Sequence, residues 1–299
     1  MNALEDFIIP PLAVVCHDAG AANVIIPWLK RYKNDMNICM EGPAKIIWKK
    51  HFSEYDLSPI EEVLTDTNTL LSGTGWGNIE FEARNKAYKK GIKNIAVIDH
   101  WTNYNDRFIR DGNQLLPDLI FVSDNYAHKI ACNAFPSIEV CQLPNIYLQV
   151  EANLASSVRV EEVKKTIKNI LVIAEPFREE IPGKGVALEF RAIEFLMSNL
   201  NKINLSKDFL NITLRLHPSE PYNKYDFLID IYKDTVTEFK ISTNNELYED
   251  VAWADLVVGI SSFALVVSLT AGVPTMSMLP PGSNNFILPY DAIINLRDL

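Results

Sequence analysis

Short apolar segments alternate with longer amphipathic segments along most of the chain. The apolar segments are rich in valine and isoleucine and span four to six residues, a length that is typical of buried strands. The segments between them carry apolar residues at helical spacing, as in Ile79–Lys90. Strands that alternate with helices of about ten residues or more predict parallel sheets covered by helices. The pattern therefore predicts an α/β fold.

The first half of the chain contains one set of these alternating elements. Strands are predicted at Pro11–His17, Asn37–Met40, Ile95–Ile98, Asp118–Val122 and Ile138–Cys141, with a weaker signal at Val63–Leu64. Helices are predicted at Ala21–Lys33, Pro43–Phe52, Ile79–Lys90 and Tyr126–Ala134. Gly91 is expected to end the third of these helices, because glycine readily adopts the left-handed conformation found after a helix.

The alternation stops at residues 151–168 and then restarts. This segment is polar and charge-rich, so we interpret it as a connection between domains that contains one helical segment. Beyond it, strands are predicted at Asn169–Ala174, Ile212–Leu216, Val236–Phe239, Leu256–Val258 and Thr275–Met278, and helices at Val186–Leu200, Tyr222–Tyr232 and Glu246–Ala254. The sequence thus predicts two Rossmann-like domains, residues 1–150 and 169–299, that face each other across a cleft.

Composition and charge narrow the class of protein. The chain has 299 residues, 48% of them hydrophobic, and a formal net charge of −10. Such a charge argues against a nucleic-acid partner, because phosphate backbones are bound by positive surfaces. The apolar run Leu256–Val273 is interrupted by glycine, serine and threonine and is too short to span a membrane. Because the N-terminus also lacks the basic start of a signal peptide, we predict a cytoplasmic protein with no direct membrane span.

The four cysteines give no sign of a metal site. Cys16, Cys39, Cys132 and Cys141 are scattered, without a C-x-x-C pair or the spacing of metal ligands. Cys16 and Cys39 lie in apolar, strand-like runs, so we predict buried free thiols in a reducing compartment. No metal ligands are therefore assigned.

The stretch Asp255–Met278 carries the strongest signal for a functional element. It predicts a buried strand, a turn with Ser261 and Ser262, a short apolar helix ended by Gly272 and Pro274, and a second strand. A helix N-terminus at the carboxyl end of a parallel strand is a ready site for an anion. The two serines either hold a phosphate or only cap a core helix.

A histidine follows another strand of the same half. His217-Pro218 comes directly after Ile212–Leu216, and proline stops the strand and fixes the backbone. The imidazole is therefore expected at the same sheet edge as Ser261 and Ser262. A histidine there can donate a hydrogen bond to a phosphate or protonate a leaving group, because imidazole titrates near neutral pH.

Glu175 follows the first strand of this half and is expected to face the cleft. We include it, together with Pro218, among the candidate nucleotide-binding residues. Gly183-Lys184-Gly185 comes soon afterwards and is expected to act as the hinge of a mobile lid.

In the N-terminal half, the loop after the first strand contains His17, Asp18 and Gly20. Small residues there let backbone amides approach a ligand, and Asp18 is a candidate base for an acceptor hydroxyl. A tight turn with Asp18 as a helix N-cap explains the same residues. The glycine-rich segment Gly73–Gly77 lacks the lysine and spacing of a P-loop. Its Trp76 is expected either to stack on a sugar or base or to be buried.

The segment Asp99–Phe108 is the densest functional candidate of the N-terminal half and directly follows a buried strand. Aromatic faces with amide and carboxylate groups suit sugar hydroxyls, and arginine suits a carboxylate or phosphate. A satisfied polar turn is the alternative. We assign Asp99 and His100 as candidate catalytic residues. The candidate sugar-binding residues of the segment are Trp101, Asn103, Tyr104 and Arg107.

Residues 169–278 resemble the C-terminal domain of GT-B-fold glycosyltransferases. The likeness rests on the His-Pro pair at a strand end, followed by A-D-L-V-V-G-I-S-S, a helix and A-G-V-P-T. It is greatest to bacterial sialyl- and polysialyltransferases, and it extends to the polymerising glycerophosphotransferases of wall polymers and to sugar-nucleotide 2-epimerases. In the sialyltransferases the corresponding histidine and serines contact the nucleotide phosphate, which implies that role for His217, Ser261 and Ser262.

The sequence departs from the epimerases in the helix after the serines. Those enzymes have a Ser-Gly-Gly turn and a pair of glutamates there, whereas this chain has S-S-F-A-L-V-V-S-L, without a carboxylate. The difference counts against epimerase chemistry, and it requires that a catalytic base come from elsewhere, most simply from the facing domain.

The resemblance implies a glycosyltransferase that uses a CMP- or UDP-linked sugar in surface polysaccharide or glycan biosynthesis. Its partners are the nucleotide-sugar donor and a glycan or small-molecule acceptor. The acceptor is expected to be bound by His17, Gly20, Trp76 and the Asp99–Phe108 segment, and to be deprotonated by Asp18 or Asp99. The reaction is expected to need no metal and no cofactor besides the sugar nucleotide. The alternatives are a sugar-nucleotide hydrolase or epimerase, a polyol-phosphate transferase, and a non-catalytic nucleotide-sugar binding module.

Overall fold

The computed structural model describes residues 4–30, 32, 35–52, 54–159, 166–176, 187–218, 220–243, 245–283 and 286–299. The chain divides into two compact units, Met1–Tyr147 and Leu148–Leu299. The predicted lid hinge Gly183-Lys184-Gly185 lies outside the described residues, as do residues 160–165 of the predicted connection.

Unit 1 is built on a sheet of six parallel strands in the order β2-β1-β3-β4-β7-β8. A separate antiparallel hairpin is formed by β5 and β6. The strands are β1 (Leu12–Cys16), β2 (Met36–Met40), β3 (Thr69–Ser72), β4 (Lys93–Val97), β5 (Ile109–Arg110), β6 (Asn113–Gln114), β7 (Leu119–Val122) and β8 (Glu139–Gln142). The helices are α1 (Ala19–Leu29), α2 (Gly42–His51), α3 (Asn78–Lys90) and α4 (Asn125–Ala134), and α5 (Ile146–Val158) runs across the boundary between the units.

Strand β1 shows why this sheet is buried on both faces. All five of its residues are buried. Leu12, Val14 and Cys16 pack into a core with residues of α1 and α2, whereas Ala13 and Val15 pack into a second core with residues of α3. Because successive strand residues point to opposite faces, a continuous apolar run is what a sheet covered by helices on both sides requires.

Unit 2 contains a second sheet of six parallel strands, in the order β11-β10-β9-β12-β13-β14. In its core, alternate residues of the central strands pack against apolar residues of the helices Leu188–Ser198 and Asp226–Tyr232. The strands are β9 (Asn169–Ile173), β10 (Asn211–Arg215), β11 (Glu238–Ile241), β12 (Leu256–Gly259), β13 (Thr275–Ser277) and β14 (Ile294–Asn295). The helices are α6 (Leu188–Ser198), α7 (Asp226–Tyr232), α8 (Leu247–Trp253) and α9 (Phe263–Thr270).

Both sheets contain a topological switch point, where the chain leaves a central strand to one side and later returns to its other side. In unit 1, β1 lies between β2 and β3, and in unit 2, β9 lies between β10 and β12. The loops after the two strands of a switch point separate from each other at the carboxyl edge of the sheet. Ligands of open α/β sheets bind in the crevice that results.

Two predicted elements differ from the structure. The predicted strand Val63–Leu64 is wrong, because both residues lie buried in a series of hydrogen-bonded turns, and β3 occupies the place beside β1. The predicted helix Tyr222–Tyr232 is too long, because a turn precedes α7. In both cases the apolar residues report burial correctly, but burial alone does not specify a strand or a helical turn.

Other boundaries shift by a few residues. Helix α1 ends at Leu29, shortly after Pro27, rather than at Lys33. The predicted strand Val236–Phe239 lies slightly later in the chain, at β11. No strand was predicted at β3, which has four residues, or at β5, β6 and β14, which have only two residues each. None of the helices in the described ranges is long and apolar enough to cross a membrane.

Candidate functional site

The switch point of unit 1 is bridged by the side chain of Asp18, which follows β1. Its Oδ2 accepts the backbone N–H of Trp76, in the loop after β3, at 3.2 Å. Its Oδ1 lies 2.6 Å from Nδ1 of His17. About one third of each of the His17 and Asp18 side chains is exposed (33% and 36%), so the pair is accessible to a ligand.

Asp18 occupies the N-cap position of α1 but does not act as a capping side chain. Its backbone is extended, as in an N-cap, and its side chain makes no capping hydrogen bond. The carboxylate is instead used to join two loops at the sheet edge. The N-cap interpretation of this residue is therefore correct for the backbone and wrong for the carboxylate.

A buried carboxylate and a buried guanidinium lie beneath this loop, and the sequence analysis did not identify either. Glu80 of α3 accepts the backbone N–H of His17 through Oε1 at 2.9 Å, and its Oε2 has no hydrogen-bond partner among the described residues. Arg84, one turn later, donates to Ser72 Oγ at 3.2 Å and to the Gly73 carbonyl at 2.8 Å. Both side chains are fully buried.

Burial shifts the protonation of both groups. It raises the pKa of the Glu80 carboxyl, against the opposing effect of the hydrogen bond from His17. It lowers the pKa of the Arg84 guanidinium to about 10, against the attraction of Glu80. Each group is destabilised in its charged form because the surrounding protein replaces water. The loops after β1 and β3 are thus supported by two buried side chains whose charged forms are destabilised. Ionisable groups with shifted pKa values of this kind are common at functional sites.

Arg107 holds the loops after β3 and β4 together. Its Nη1 lies 2.9 Å from Asp99 Oδ1 and 3.0 Å from Thr74 Oγ1, and its Nε donates to the Thr102 carbonyl at 3.1 Å. The side chain is buried. In this structure Arg107 and Asp99 satisfy each other, so the guanidinium serves the architecture of the edge rather than an exposed binding surface.

The aromatic residues of the Asp99–Phe108 segment are also buried. Trp101 and Tyr104 are each 5% exposed. The indole N–H of Trp101 donates to Asp124 Oδ2 at 2.8 Å, and the Tyr104 hydroxyl donates to the Ala127 carbonyl at 3.4 Å. Burial raises the pKa of Tyr104. These two rings anchor the segment on α4, and no face of either is presented to solvent for stacking on a sugar.

Other predicted site residues of unit 1 are accessible. Trp76 is 54% exposed, and the guanidinium carbon of Arg110 lies 5.9 Å from the centre of its ring. Asn103 is exposed, and it has a positive φ of 59°. His100 is partly buried, with Nδ1 3.1 Å from Thr102 Oγ1. The alternative that Trp76 is buried in its glycine-rich turn is therefore wrong.

Gly20 has a steric role that differs from the predicted one. A Cβ atom at this position would overlap the Asp99 carboxylate. The absence of a side chain therefore lets the carboxylate of the loop after β4 approach α1. An acceptor ligand was the expected neighbour of this glycine, but a side chain of the protein itself occupies that space.

The switch point of unit 2 is bridged in the same way, by Glu175. Its Oε2 accepts the backbone N–H of Ser261 at 2.9 Å, and its Oε1 accepts the Ser261 hydroxyl at 3.2 Å. Ser262 is the N-cap of α9 and accepts the Ala264 N–H through Oγ at 3.3 Å. Burial raises the pKa of Glu175, and the two hydrogen bonds from Ser261 oppose this effect.

His217 and Pro218 lie at the same edge and are exposed. The His217 N–H donates to Glu220 Oε2 at 2.9 Å, and Glu220 also accepts from Lys224 Nζ and the Tyr225 hydroxyl, both at 2.7 Å. Burial opposes ionisation of Glu220, but these hydrogen bonds outweigh it and lower the pKa of the carboxyl. The turn that carries His217 is therefore held by a shielded carboxylate whose charge is stabilised by hydrogen bonds within the protein.

Strand order brings the candidate residues of unit 2 together. β10, β9 and β12 are consecutive neighbours in the sheet, and His217, Glu175 and Ser261 each follow one of them. Since neighbouring strands lie about 4.8 Å apart, these three residues start from positions spread over roughly 10 Å of one edge. An imidazole, a carboxylate and a serine-capped helix N-terminus at such an edge have the dimensions of a phosphate or nucleotide site.

No protein-family model and no curated protein matches the chain. Solved structures of similar fold include the UDP-GlcNAc 2-epimerase from Neisseria meningitidis bound to UDP-GlcNAc, with a TM-score of 0.58 and 14% identity over 89% of this chain and 82% of that one. MurG from Acinetobacter baumannii has a TM-score of 0.54 and 11% identity, over 93% and 81% of the two chains. Anabaena HepE in complex with UDP has a TM-score of 0.53 and 10% identity, over 89% and 80%.

At these identities the likeness shows a common fold. The similar structures are GT-B enzymes, and both units of this chain are parallel α/β sheets with a switch point. The fold class predicted from the sequence is therefore confirmed: the chain is an α/β protein with two Rossmann-like units of the GT-B type.

Proposed function

We propose that this chain is a glycosyltransferase that uses a nucleotide-activated sugar in surface polysaccharide or glycan biosynthesis. The observation that carries the proposal is the edge of unit 2, where Ser261, the N-terminus of α9 and His217 follow neighbouring strands. Structures of similar fold hold UDP and UDP-GlcNAc, which supports a nucleotide ligand. The His-Pro and Ser-Ser motifs favour a CMP-linked donor, and the UDP complexes favour a UDP-linked one.

In this proposal unit 2 binds the donor phosphate. The N–H groups at the start of α9 and the positive end of its dipole attract an anion, and Ser262 fixes the first turn of the helix. His217, with Pro218 fixing its backbone, donates a hydrogen bond to the phosphate oxygen that becomes negative as the glycosidic bond breaks. These groups stabilise the leaving phosphate without a metal ion.

Unit 1 supplies the acceptor side of the proposed reaction. Asp18 is the better candidate base, because Asp99 is paired with buried Arg107 whereas Asp18 is accessible beside His17. The acceptor O–H bond breaks as its proton passes to Asp18, and the oxygen forms a bond to the anomeric carbon. The bond from that carbon to the phosphate oxygen breaks, and its electron pair stays on the phosphate. Exposed Trp76 offers an aromatic face to the acceptor sugar.

Calorimetric titration with CMP, CDP, UMP, UDP and GDP tests the proposal. We expect micromolar binding of a cytidine or uridine nucleotide, and about tenfold weaker binding by His217→Ala and Ser262→Ala, because each removes one hydrogen-bonding group near a phosphate. Ser157→Ala is the matched control, since the hydroxyl of this exposed serine donates to the Leu154 carbonyl of its own helix. Absence of binding for every nucleotide would show that the proposal is wrong.

Turnover then separates transfer from the alternatives. We expect the sugar of the matching nucleotide-sugar to be transferred to an added saccharide. Rapid release of free sugar without an acceptor would indicate a hydrolase instead. Tight binding with neither transfer nor release across a panel of acceptors would indicate a non-catalytic binding module.

A further inference from the structure

We propose that Glu175 occupies the phosphate position of the nucleotide-free protein, so that a nucleotide must displace its carboxylate from Ser261. This inference rests on the proposed function, because it concerns the same edge of unit 2. It adds an internal competitor to the site, and it makes the strength of the Glu175–Ser261 contact a determinant of nucleotide affinity.

The contact uses the donors that an incoming phosphate needs. The two carboxylate oxygens accept the N–H and the hydroxyl of Ser261, at 2.9 and 3.2 Å. A carboxylate with two acceptor oxygens is the side chain most similar to a phosphate edge. Because the N–H has a single hydrogen, it cannot serve Glu175 and a phosphate at full strength together. Bound phosphate and the observed Glu175 contact are therefore alternatives.

Within the described part of the chain, no lysine, arginine or histidine forms an ion pair with Glu175, and its two hydrogen bonds come from Ser261 alone. A partly buried carboxylate without a cation is destabilised relative to one in water. Placing a phosphate beside it would bring two anions together in the same partly buried position. The cost is avoided if the carboxylate leaves or takes up a proton.

The neighbouring elements present few charged or titratable groups that could change the protonation of Glu175. α9 and the turn before it contain no titratable residue. On β10, Arg215 is paired with Asp250 at 2.6 Å, and in the turn after β10 Glu220 is paired with Lys224. His217 follows β10 at the same edge. A comparison of variants at Glu175 keeps the contribution of His217 constant.

Asp255 provides a matched control within the same unit. Its Oδ2 accepts the backbone N–H groups of Lys168 and Asn169, both at 2.9 Å, and its side chain is buried. It resembles Glu175 in being a carboxylate, at least partly buried, that accepts a main-chain hydrogen bond. It lies at the amino end of β9, however, whereas Glu175 lies at the carboxyl end. Loss of its charge should leave the phosphate site unaffected.

The experiment compares wild type, Glu175→Gln, Glu175→Ala and Asp255→Asn by calorimetric titration with UDP-N-acetylglucosamine and with CMP. At pH 7.5 we expect both Glu175 variants to bind the nucleotide at least fivefold more tightly than wild type, because neither carries the competing charge. Asp255→Asn should stay within twofold of wild type. With UDP-N-acetylglucosamine, whose phosphates do not titrate in this range, the advantage of Glu175→Gln should shrink as the pH falls to 5.5, since protonation weakens the carboxyl as an acceptor.

The possible failures are distinguishable. Equal or weaker binding by both Glu175 variants, with wild-type binding intact, overturns the competitor role and leaves the proposed function in place. Weaker binding would instead assign Glu175 to a direct contact with the nucleotide. If neither wild type nor any variant binds either probe, the proposed function and this inference fail together. Circular dichroism of each variant establishes that it is folded, and the alanine variant tests the role independently of any new contact made by glutamine.

Discussion

The Asp18 carboxylate accepts the Trp76 backbone N–H at 3.2 Å and joins the loops on either side of the unit 1 switch point. Glu175 makes the corresponding bond to Ser261 in unit 2, at 2.9 Å. In each unit, the carboxylate follows the central strand and the N–H follows the strand on the far side of the switch. At each switch point, a carboxylate therefore reaches across the crevice between the two loops and accepts a backbone N–H on the other side. Both carboxylates are partly buried.

Asp18→Asn should reduce turnover by at least about a hundredfold while changing the Kd for the nucleotide less than twofold. Asparagine can still accept the Trp76 N–H, so the loop is retained, but it cannot take a proton from an acceptor hydroxyl. Steady-state kinetics and calorimetry on the same preparation measure the two effects. Asp111→Asn is the control, because Asp111 is exposed and its positive φ of 50° is one that asparagine tolerates. Unchanged turnover in Asp18→Asn would remove Asp18 as the base.

Gly20→Ala should destabilise the protein, although helix propensity alone predicts the opposite. Gly20 lies in the first turn of α1, where alanine is favoured over glycine by up to about 1 kcal/mol. A Cβ there would overlap the Asp99 carboxylate, which is paired with Arg107. Overpacking of this kind costs about 1–3 kcal/mol. The free energy of unfolding in urea measures the net effect.

The effect of Gly20→Ala on the free energy of unfolding should change sign when the Asp99 side chain is shortened to alanine. In an Asp99→Ala background the overlapping carboxylate is gone, so Gly20→Ala should be neutral or stabilising. A double-mutant cycle in urea gives the coupling between the two positions. Additive effects would show that the overlap with Asp99 does not limit residue 20.

The elements that the sequence predicted well are those whose local pattern is sufficient. β1, β9 and β12 are continuous apolar runs, and sheets covered on both faces require such runs. The turn with Ser261 and Ser262 was predicted because a serine cap, an apolar helix and a glycine stop follow in order along the chain. Such features depend on a few neighbouring residues, so one sequence reveals them.

The residues that the sequence misassigned or missed depend on tertiary placement. Glu80 and Arg84 have the spacing of a solvated pair on an exposed helix face, yet the fold buries both. Trp101 and Arg107 have the chemistry of sugar-binding groups, but partners contributed by other loops and by α4 bury them. Glu175 was expected to be open to the cleft, and only the pairing of β9 with β12 shows that it meets Ser261. The sequence shows the chemical type of these side chains but not the residues that they contact.

Glu80→Gln should gain stability relative to wild type as the pH rises. Burial raises the pKa of Glu80 in the folded protein above its unfolded value. The stabilising contribution of this group is therefore fully present below the unfolded pKa, and it is lost as the pH rises through the folded pKa. Glutamine keeps an oxygen that accepts the His17 N–H but does not ionise.

Urea unfolding at pH 4.5, 6.0 and 7.5 tests this trend. The free energy of unfolding of Glu80→Gln minus that of wild type should increase across the series. Glu82→Gln, on the same helix, is the control, since the Glu82 side chain is half exposed and pairs with Lys86. A difference that is constant or decreasing with pH would contradict the assignment of Glu80 as a carboxylate destabilised by burial.

Asp250→Ala should destabilise the protein by about 3 kcal/mol, because it removes a buried carboxylate that accepts three hydrogen bonds, one of them within an ion pair. Asp250 is 2% exposed and accepts hydrogen bonds from Arg215, Ser242 and Asn245 at 2.6, 2.6 and 2.7 Å. Asp230→Ala removes an exposed partner of Lys233 and should cost less than about 0.5 kcal/mol. Urea unfolding measures the loss of stability in both variants. If Asp250→Ala loses as little as Asp230→Ala, the hydrogen bonds of Asp250 add little to the stability of the carboxyl end of β10.

Trp76→Ala and Trp101→Ala should separate recognition from stability. Trp76 is 54% exposed, so its loss should change the free energy of unfolding by less than about 0.5 kcal/mol. If its ring stacks on the acceptor sugar, the variant should raise the KM for the acceptor several-fold and leave the Kd for the nucleotide unchanged. Trp101 is 5% exposed and bonded to Asp124, so Trp101→Ala should cost about 3 kcal/mol or more. Trp76→Phe keeps an aromatic face and should recover most of the acceptor affinity. An acceptor KM that does not respond to Trp76→Ala would exclude the indole from the acceptor site, and equal instability of the two alanine variants would show that Trp76 serves the fold instead.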